Sequence, residues 1–268
     1  MPHAGEFWFS PFSPFCVSVL LAVISVRAVP DETRGGLPGF VVHPALGSDV
    51  AVAPGLARDR AIVVRLLIVR HSVPWLTQYA SPSLIAAIID GSHPRGEDPR
   101  WRESGAPDPE TYAAWCWRWC GMACFRMALL ARDGVAPTLY ELAMGAMEYG
   151  AYISEPDGPR GLIYRPFTEY ARDKHGLQAE VITDLDPARL TAELDEGRLV
   201  IASVHAAIRR PENDPPRTGG HLVLVTGHAD GQVTFHNPSG HTPETVVATL
   251  PMPVFDRFAA HRGISLHL

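Results

Sequence analysis

The chain has 268 residues, 46% of them hydrophobic and 19% charged, so it can bury a sizeable core and is neither disordered nor collagen-like. Its formal net charge is −6, with 23 Lys and Arg set against 29 Asp and Glu, and the basic residues are scattered along it. No cationic stripe for nucleic acid results, and a peptide or small-molecule partner is the more natural expectation.

An apolar run from Phe15 to Val26 has the length of a signal-peptide core, with small residues set for cleavage after Ala28. Glu6 and no Lys or Arg precede it, so a buried strand or a leader segment fits equally, and cytoplasmic and secreted locations both stay open. The run is too short for a membrane span. Residues 31–60 are rich in Gly, Pro and Ala with small strand-like bursts, so 1–60 reads as an N-terminal arm or leader ahead of a domain over 61–268. "AIVVRLLIVRHSVPW", from Ala61, reads as a strand buried on both faces. "GSHPRGEDPRWRESGAPDPE" then reads as a long loop, of a kind that often carries function.

Four cysteines are too few for a disulfide scaffold, and three of them crowd into "WCWRWCGMAC", Trp115–Cys124, so mostly free thiols are expected. Trp115, Trp117 and Trp119 alternate with Cys116, Arg118 and Cys120, a period of two that predicts an extended approach. After Gly121 the apolar residues follow helical spacing to Arg132, with Asp133-Gly134 as the stop. Cys120 stands at the switch, where the N–H groups and dipole of a helix start favour a thiolate and lower a thiol pKa. Gly121 beside it would let a substrate carbonyl approach. A rival reading runs one helix from Asp108-Pro109 to Arg132 and puts the three thiols on one stripe, but C-x3-C-x3-C matches no usual metal spacing. Cys116 and Cys124 are therefore read as core, and neither metal nor cofactor is expected.

Further along, Thr138 and Glu141 form a capping box for a helix through Glu148, and "PFTEYARDKHG" is a helix ended by Gly176. "QAEVIT" is a strand, "DPARLTAELDEG" a helix capped by Asp186 with Pro187 in its first turn, and "LVIASVHA" a strand. "GGHLVLVTGHADGQVTFHNPSG" is a hairpin turning at Asp230-Gly231. Helices come early and antiparallel strands late, which predicts an α+β fold with helices packed on one sheet.

A thiol nucleophile needs a base and a group to orient the base. His221 is the best placed of the twelve histidines, since it begins a buried strand after Gly219 and Gly220, which leave access for substrate. Asn237, at the far end of the hairpin, is the candidate orienting group. A two-residue turn alone would put position 224 opposite Asn237, which would then face away from His221 while His236 shared its face. A bulge or an odd-length loop would bring Asn237 to the side of His221.

"VPWLTQ", "WCGMACFRMAL", "GLQAEVITDLDPARLTAELDEGRLVIASV" and "GGHLVLVTGHADGQVTFHNP" together resemble the bacteriocin-processing-peptidase-like family of papain-fold cysteine peptidases, over roughly Arg65 to the C-terminus. The resemblance implies a papain-like fold, Cys120 as nucleophile, His221 as base and acid, Asn237 as orienting group and Gln78 as oxyanion-hole donor beside the Cys120 N–H. Met122 stands where the family has proline, Asn237 where it more often has Asp, and a long tryptophan-rich insertion separates Gln78 from Cys120. Trp119, Gly121 and Gly220 are expected to border the substrate. The implied activity is acyl transfer through a Cys120 thioester, foremost hydrolysis of a peptide or isopeptide bond. An amine acceptor would make the same site a transferase, and a catalytically silent peptide-binding module is the rival from another class.

Overall fold

Cap and turn residues decide where the helices begin. The computed structural model describes residues 72–155 and 158–268. Helix α1 (Ile85–Asp90) is followed by α2 (Pro109–Trp115), which opens on Asp108: its carboxylate accepts the Thr111 N–H, and Pro109 occupies the first turn. Helix α3 (Cys120–Asp133) carries the cysteines, and α4 (Leu139–Glu148) starts at the reciprocal Thr138–Glu141 capping box. A two-strand ribbon, β1 (Tyr152–Ile153) with β2 (Arg160–Gly161), precedes α5 (Tyr164–His175). Strand β3 (Gln178–Ile182) leads to α6 (Pro187–Asp195), capped by Asp186, and then to β4 (Leu199–Val204). Strands β5 (His221–Ala229) and β6 (Gln232–His236) form the hairpin. The chain closes with α7 (Pro243–Val246), β7 (Val247–Pro251), α8 (Met252–Asp256) and β8 (Ala259–His267).

The six long strands make one antiparallel sheet in the order β3-β8-β4-β5-β6-β7. Every residue of β4 is buried, which requires cover on both faces of the sheet. Alternation sends Leu199, Ile201, Leu222, Leu224 and Ile264 to one core with Met122, Phe125 and Leu129 of α3. Val200, Ala202, Val223, Val225 and Phe235 enter the other, with Leu190 of α6 and Phe255 of α8. Burying each of the Val, Leu, Ile, Met and Phe side chains among them contributes about 1.5–3 kcal/mol. The chain is an α+β domain, with α3 lying across the middle of one sheet face.

Two expectations change. The approach to Cys120 is helical rather than extended: after α2 a 3₁₀ turn (Cys116–Arg118) leads directly into α3, with Trp119 at φ −84°, ψ 7° between them. The alternation of Trp and polar residues there follows from a tight turn whose fully buried members, Cys116 and Trp119, are three apart, the period of a 3₁₀ helix. Helix α1 and the strands β7 and β8 went unread, and β8 lies in the interior of the sheet. Ser72–Trp75, the described end of the first apolar run, is not in a strand; the rest of that run, the domain boundary at 60 and the signal-like segment lie outside the described residues. Among the described residues no helix is long and apolar enough to cross a membrane.

Candidate active site

The hairpin sets the geometry around His221. Asp230 (φ 50°) and Gly231 (φ 74°) make a two-residue turn, so Ala229 faces Gln232. The register then shifts between Val225 and Gly227, where Thr226 is the extra residue, and Leu224 faces His236. The next step brings Asn237 beside Val223, on the side that His221 shares. Tight turn and bulge are both present, and the bulge decides which side Asn237 takes. His221 Nε2 lies 2.9 Å from Asn237 Oδ1, with both side chains buried.

The amide orientation is fixed independently. The Ser239 backbone N–H donates to Asn237 Oδ1 at 3.0 Å, so that atom is an acceptor and the proton between it and His221 sits on Nε2. Nδ1 of His221 is thereby left with a lone pair. Ser239 Oγ joins the group, 3.0 Å from His221 Nε2 and 3.1 Å from Asn237 Oδ1, and it accepts a hydrogen bond from Arg209 Nη1 at 2.6 Å. Neither Ser239 nor Arg209 was read from the sequence, because single polar residues in loops carry no periodic or motif signal.

The segment before α1 clamps this end of the hairpin. Trp75 Nε1 donates to the Asn237 carbonyl at 2.8 Å, and the Thr77 hydroxyl and Gln78 N–H donate to the Pro238 carbonyl at 3.0 and 2.9 Å. Gln78 is thus brought to the cysteine helix, where its Nε2 donates to the Cys116 carbonyl at 3.0 Å. One of its two amide hydrogens is spoken for, and the other is free to donate. Gln78 Oε1 and Asn237 Nδ2 are buried without a partner.

Cys120 is the first residue of α3 and is partly exposed, whereas Cys116 and Cys124 are buried; all three are free thiols. The Leu222 backbone N–H favours the Cys120 thiolate, and the Cys124 thiol donates to the Leu222 carbonyl at 3.7 Å. The second turn of α3 is therefore held to the residue that follows His221. Among the described residues no cluster of three His, Cys, Asp or Glu could hold a metal.

Electrostatics at the resting site differ from the expectation of a depressed thiol. Burial pushes the Cys120 pKa up, and the N–H groups of Leu222, Gly121 and Cys120 itself pull it down without overcoming that. Burial brings His221 down to about 4; the Asn237 hydrogen bond resists, while Arg209 and His205 push it lower still. Thiol and imidazole are both neutral at pH 7.

Two substrate-contact expectations are corrected. Trp119 is fully buried and packs on Tyr112, ring centroids 6.0 Å apart, so it is core. Gly121 is buried as well: a Cβ there would meet methyls of Leu162 and Leu222 at 2.9 Å, so the glycine serves close packing of α3 on β5 and opens nothing to substrate. Gly220 (φ 92°) does border a cleft of about 690 Å³, together with Gln78, Tyr79, Trp117, His221 and Ser239. Of the tryptophans in the 115–119 cluster, Trp117 is the one that reaches this cleft.

By sequence, the chain matches no family profile and no curated protein. By structure, it is similar to a putative C39-like peptidase from Bacillus anthracis, at 15% identity over 56% of this chain and 89% of that one, with a TM-score of 0.42. It is also similar to the peptidase domain of ComA from Streptococcus, a bi-functional ABC transporter of a quorum-sensing pathway, at 17% identity over 56% of this chain and 90% of that one, with a TM-score of 0.39.

Proposed function

We propose that the protein is a papain-like cysteine peptidase that hydrolyses a peptide or isopeptide bond through a thioester on Cys120. The observation that carries the reading is the buried 2.9 Å bond between His221 Nε2 and Asn237 Oδ1, made possible by the Thr226 bulge. It fixes the tautomer in which Nδ1 can take a proton.

In the reaction His221 Nδ1 accepts the Cys120 proton as the sulfur attacks the carbonyl carbon. The free Gln78 amide hydrogen and the Cys120 backbone N–H donate to the oxyanion. His221 then passes its proton to the leaving amine. Water, deprotonated by the same nitrogen, attacks the thioester and releases the acid and the thiol. Asn237 holds the ring throughout, and Trp75, bonded to the Asn237 carbonyl, holds Asn237.

The test is intact-mass capture of an acyl adduct from acyl thioester probes, with cleavage of a peptide pool followed by mass spectrometry. Wild type should form the adduct on Cys120, and Cys120→Ala and His221→Ala should lower cleavage by on the order of 10³-fold or more. Cleavage that survives Cys120→Ala, or a wild type that neither acylates nor cleaves, would overturn the proposal.

A further inference from the structure

The cleft beside His221 has a charge that the whole chain does not share. The chain is net −6, yet the cleft is lined by Arg95 and Arg209 and, among the described residues, by no Asp or Glu. Arg209 is half-buried, and its hydrogen-bond partner is the neutral Ser239 hydroxyl. Other partly buried arginines are treated differently: Arg132 pairs with Asp133, and Arg198 pairs with Glu193 and Glu196. A guanidinium withdrawn from water without a carboxylate is costly, and Arg209 has no carboxylate within ion-pair reach among the described residues. Arg95, at the rim, lies over the Trp117 ring 5.3 Å from its centroid, which leaves its guanidinium edge free to donate.

His221 lines this cleft and Cys120 does not. A general acid delivers its proton to the leaving amine, so the half of the substrate that departs lies on the side of His221. We propose that the cleft is a subsite for a carboxylate on the leaving half of the substrate, an Asp or Glu side chain or a C-terminal carboxylate, seated on Arg209 with Arg95 at the rim. The planar fork of Arg209 suits a carboxylate, and its link through Ser239 to the His221–Asn237 pair registers that carboxylate against the reacting bond. The inference rests on the peptidase reading for the meaning of "leaving half", but the anion site itself stands on the arginines.

The experiment runs the first half-reaction, acylation with departure of the amine, backwards. Acetyl-Gly-Gly thiobenzyl ester acylates Cys120 with loss of benzyl thiol, and an added dipeptide amine attacks the thioester, forming an amide bond and returning the thiol. Four acceptors are compared at equal concentration: Gly-Glu-amide, Gly-Gln-amide, Gly-Lys-amide and Gly-Gly with a free C-terminus. Wild type should transfer to Gly-Glu-amide or to Gly-Gly about tenfold better than to Gly-Gln-amide, the winner identifying the source of the carboxylate. Arg209→Gln should bring that ratio to near one, and Arg209→Lys should keep part of it. A wild-type ratio near one, or a ratio unmoved by Arg209→Gln, overturns the subsite while leaving the peptidase reading intact. If Cys120 does not acylate, the peptidase reading fails, and the subsite is then decided by NMR titration of the Arg209 Nε–H resonance. Saturable shifts with Gly-Glu-amide or Gly-Gly, and none with Gly-Gln-amide, support it; equal or absent shifts refute it.

Discussion

Two buried polar clusters lie a short way apart and are finished differently. Asp98, fully buried, accepts from the Ser81 hydroxyl and N–H, the Tyr112 hydroxyl and the Arg100 N–H, so its carboxylate is saturated. The cluster around His221 and Asn237 leaves Asn237 Nδ2 and Gln78 Oε1 without partners and keeps a histidine nitrogen in reserve. The first ties the loop over 91–108 to α2 and to Ser81 and holds a shape. The second carries unspent hydrogen-bonding capacity, a cost to stability that, on the proposed peptidase reading, a substrate would use.

Substitutions should separate the two. Asp98→Ala leaves four donors without an acceptor and should destabilise the fold by on the order of 4 kcal/mol in urea unfolding, with kcat per folded molecule little changed. The hydrogen bonds outweigh burial and hold the Asp98 pKa below the ordinary carboxylate range, so its contribution is complete above the unfolded carboxylate pKa and is lost as pH falls through the folded one. Asp98→Asn should therefore flatten the acid limb of stability. Gln78→Ala should do the reverse and cost roughly 10²-fold in kcat, about 3 kcal/mol of transition-state stabilisation, with KM nearly unmoved and stability lowered by only about 1 kcal/mol for the lost bond to the Cys116 carbonyl. The third effect is a pH signature of the second cluster. His221 binds its proton near pH 4 when folded and near 6.5 when unfolded, so the unfolded state holds more protons between these values. Stability attributable to His221 is present above about pH 6.5 and falls as pH drops toward 4, by between 2 and 3 kcal/mol. His221→Gln should remove that slope from urea midpoints measured at pH 7 and 4.5; an unchanged slope would mean that another group sets it.

The sequence made legible what local chemistry controls. Thr138–Glu141, Asp186-Pro187, Gly176 and Asp230-Gly231 each act within a few residues, and the elements they bound appear where expected. The start of α3 at Cys120 is of the same kind. The approach to it misled because a 3₁₀ turn and a short strand both imitate a brief alternation. Strand β8 was invisible because its burial follows no simple alternation and its partners, Gln178–Ile182 and Leu199–Val204, are remote in sequence. Arg209 and Ser239 matter by where they sit in space, which no spacing encodes. The Asn237 register could be posed on paper as a choice, and Thr226 made that choice through a bulge that has no sequence signature of its own.

The place of β8 also governs the order in which the domain can assemble. It slots antiparallel between β3 and β4, which the connection through α6 would otherwise leave as unpaired parallel neighbours. During synthesis, α3 and the β5–β6 hairpin emerge with a gap in the sheet that only residues 259–267 can fill. Both halves of the candidate site, held to each other where α3 packs on β5, are made before the sheet beside them is complete. Such long-range closure makes for slow folding and leaves two strand edges open meanwhile. A nascent chain would thus carry α3 and its hairpin on an unfinished sheet until β8 is in place.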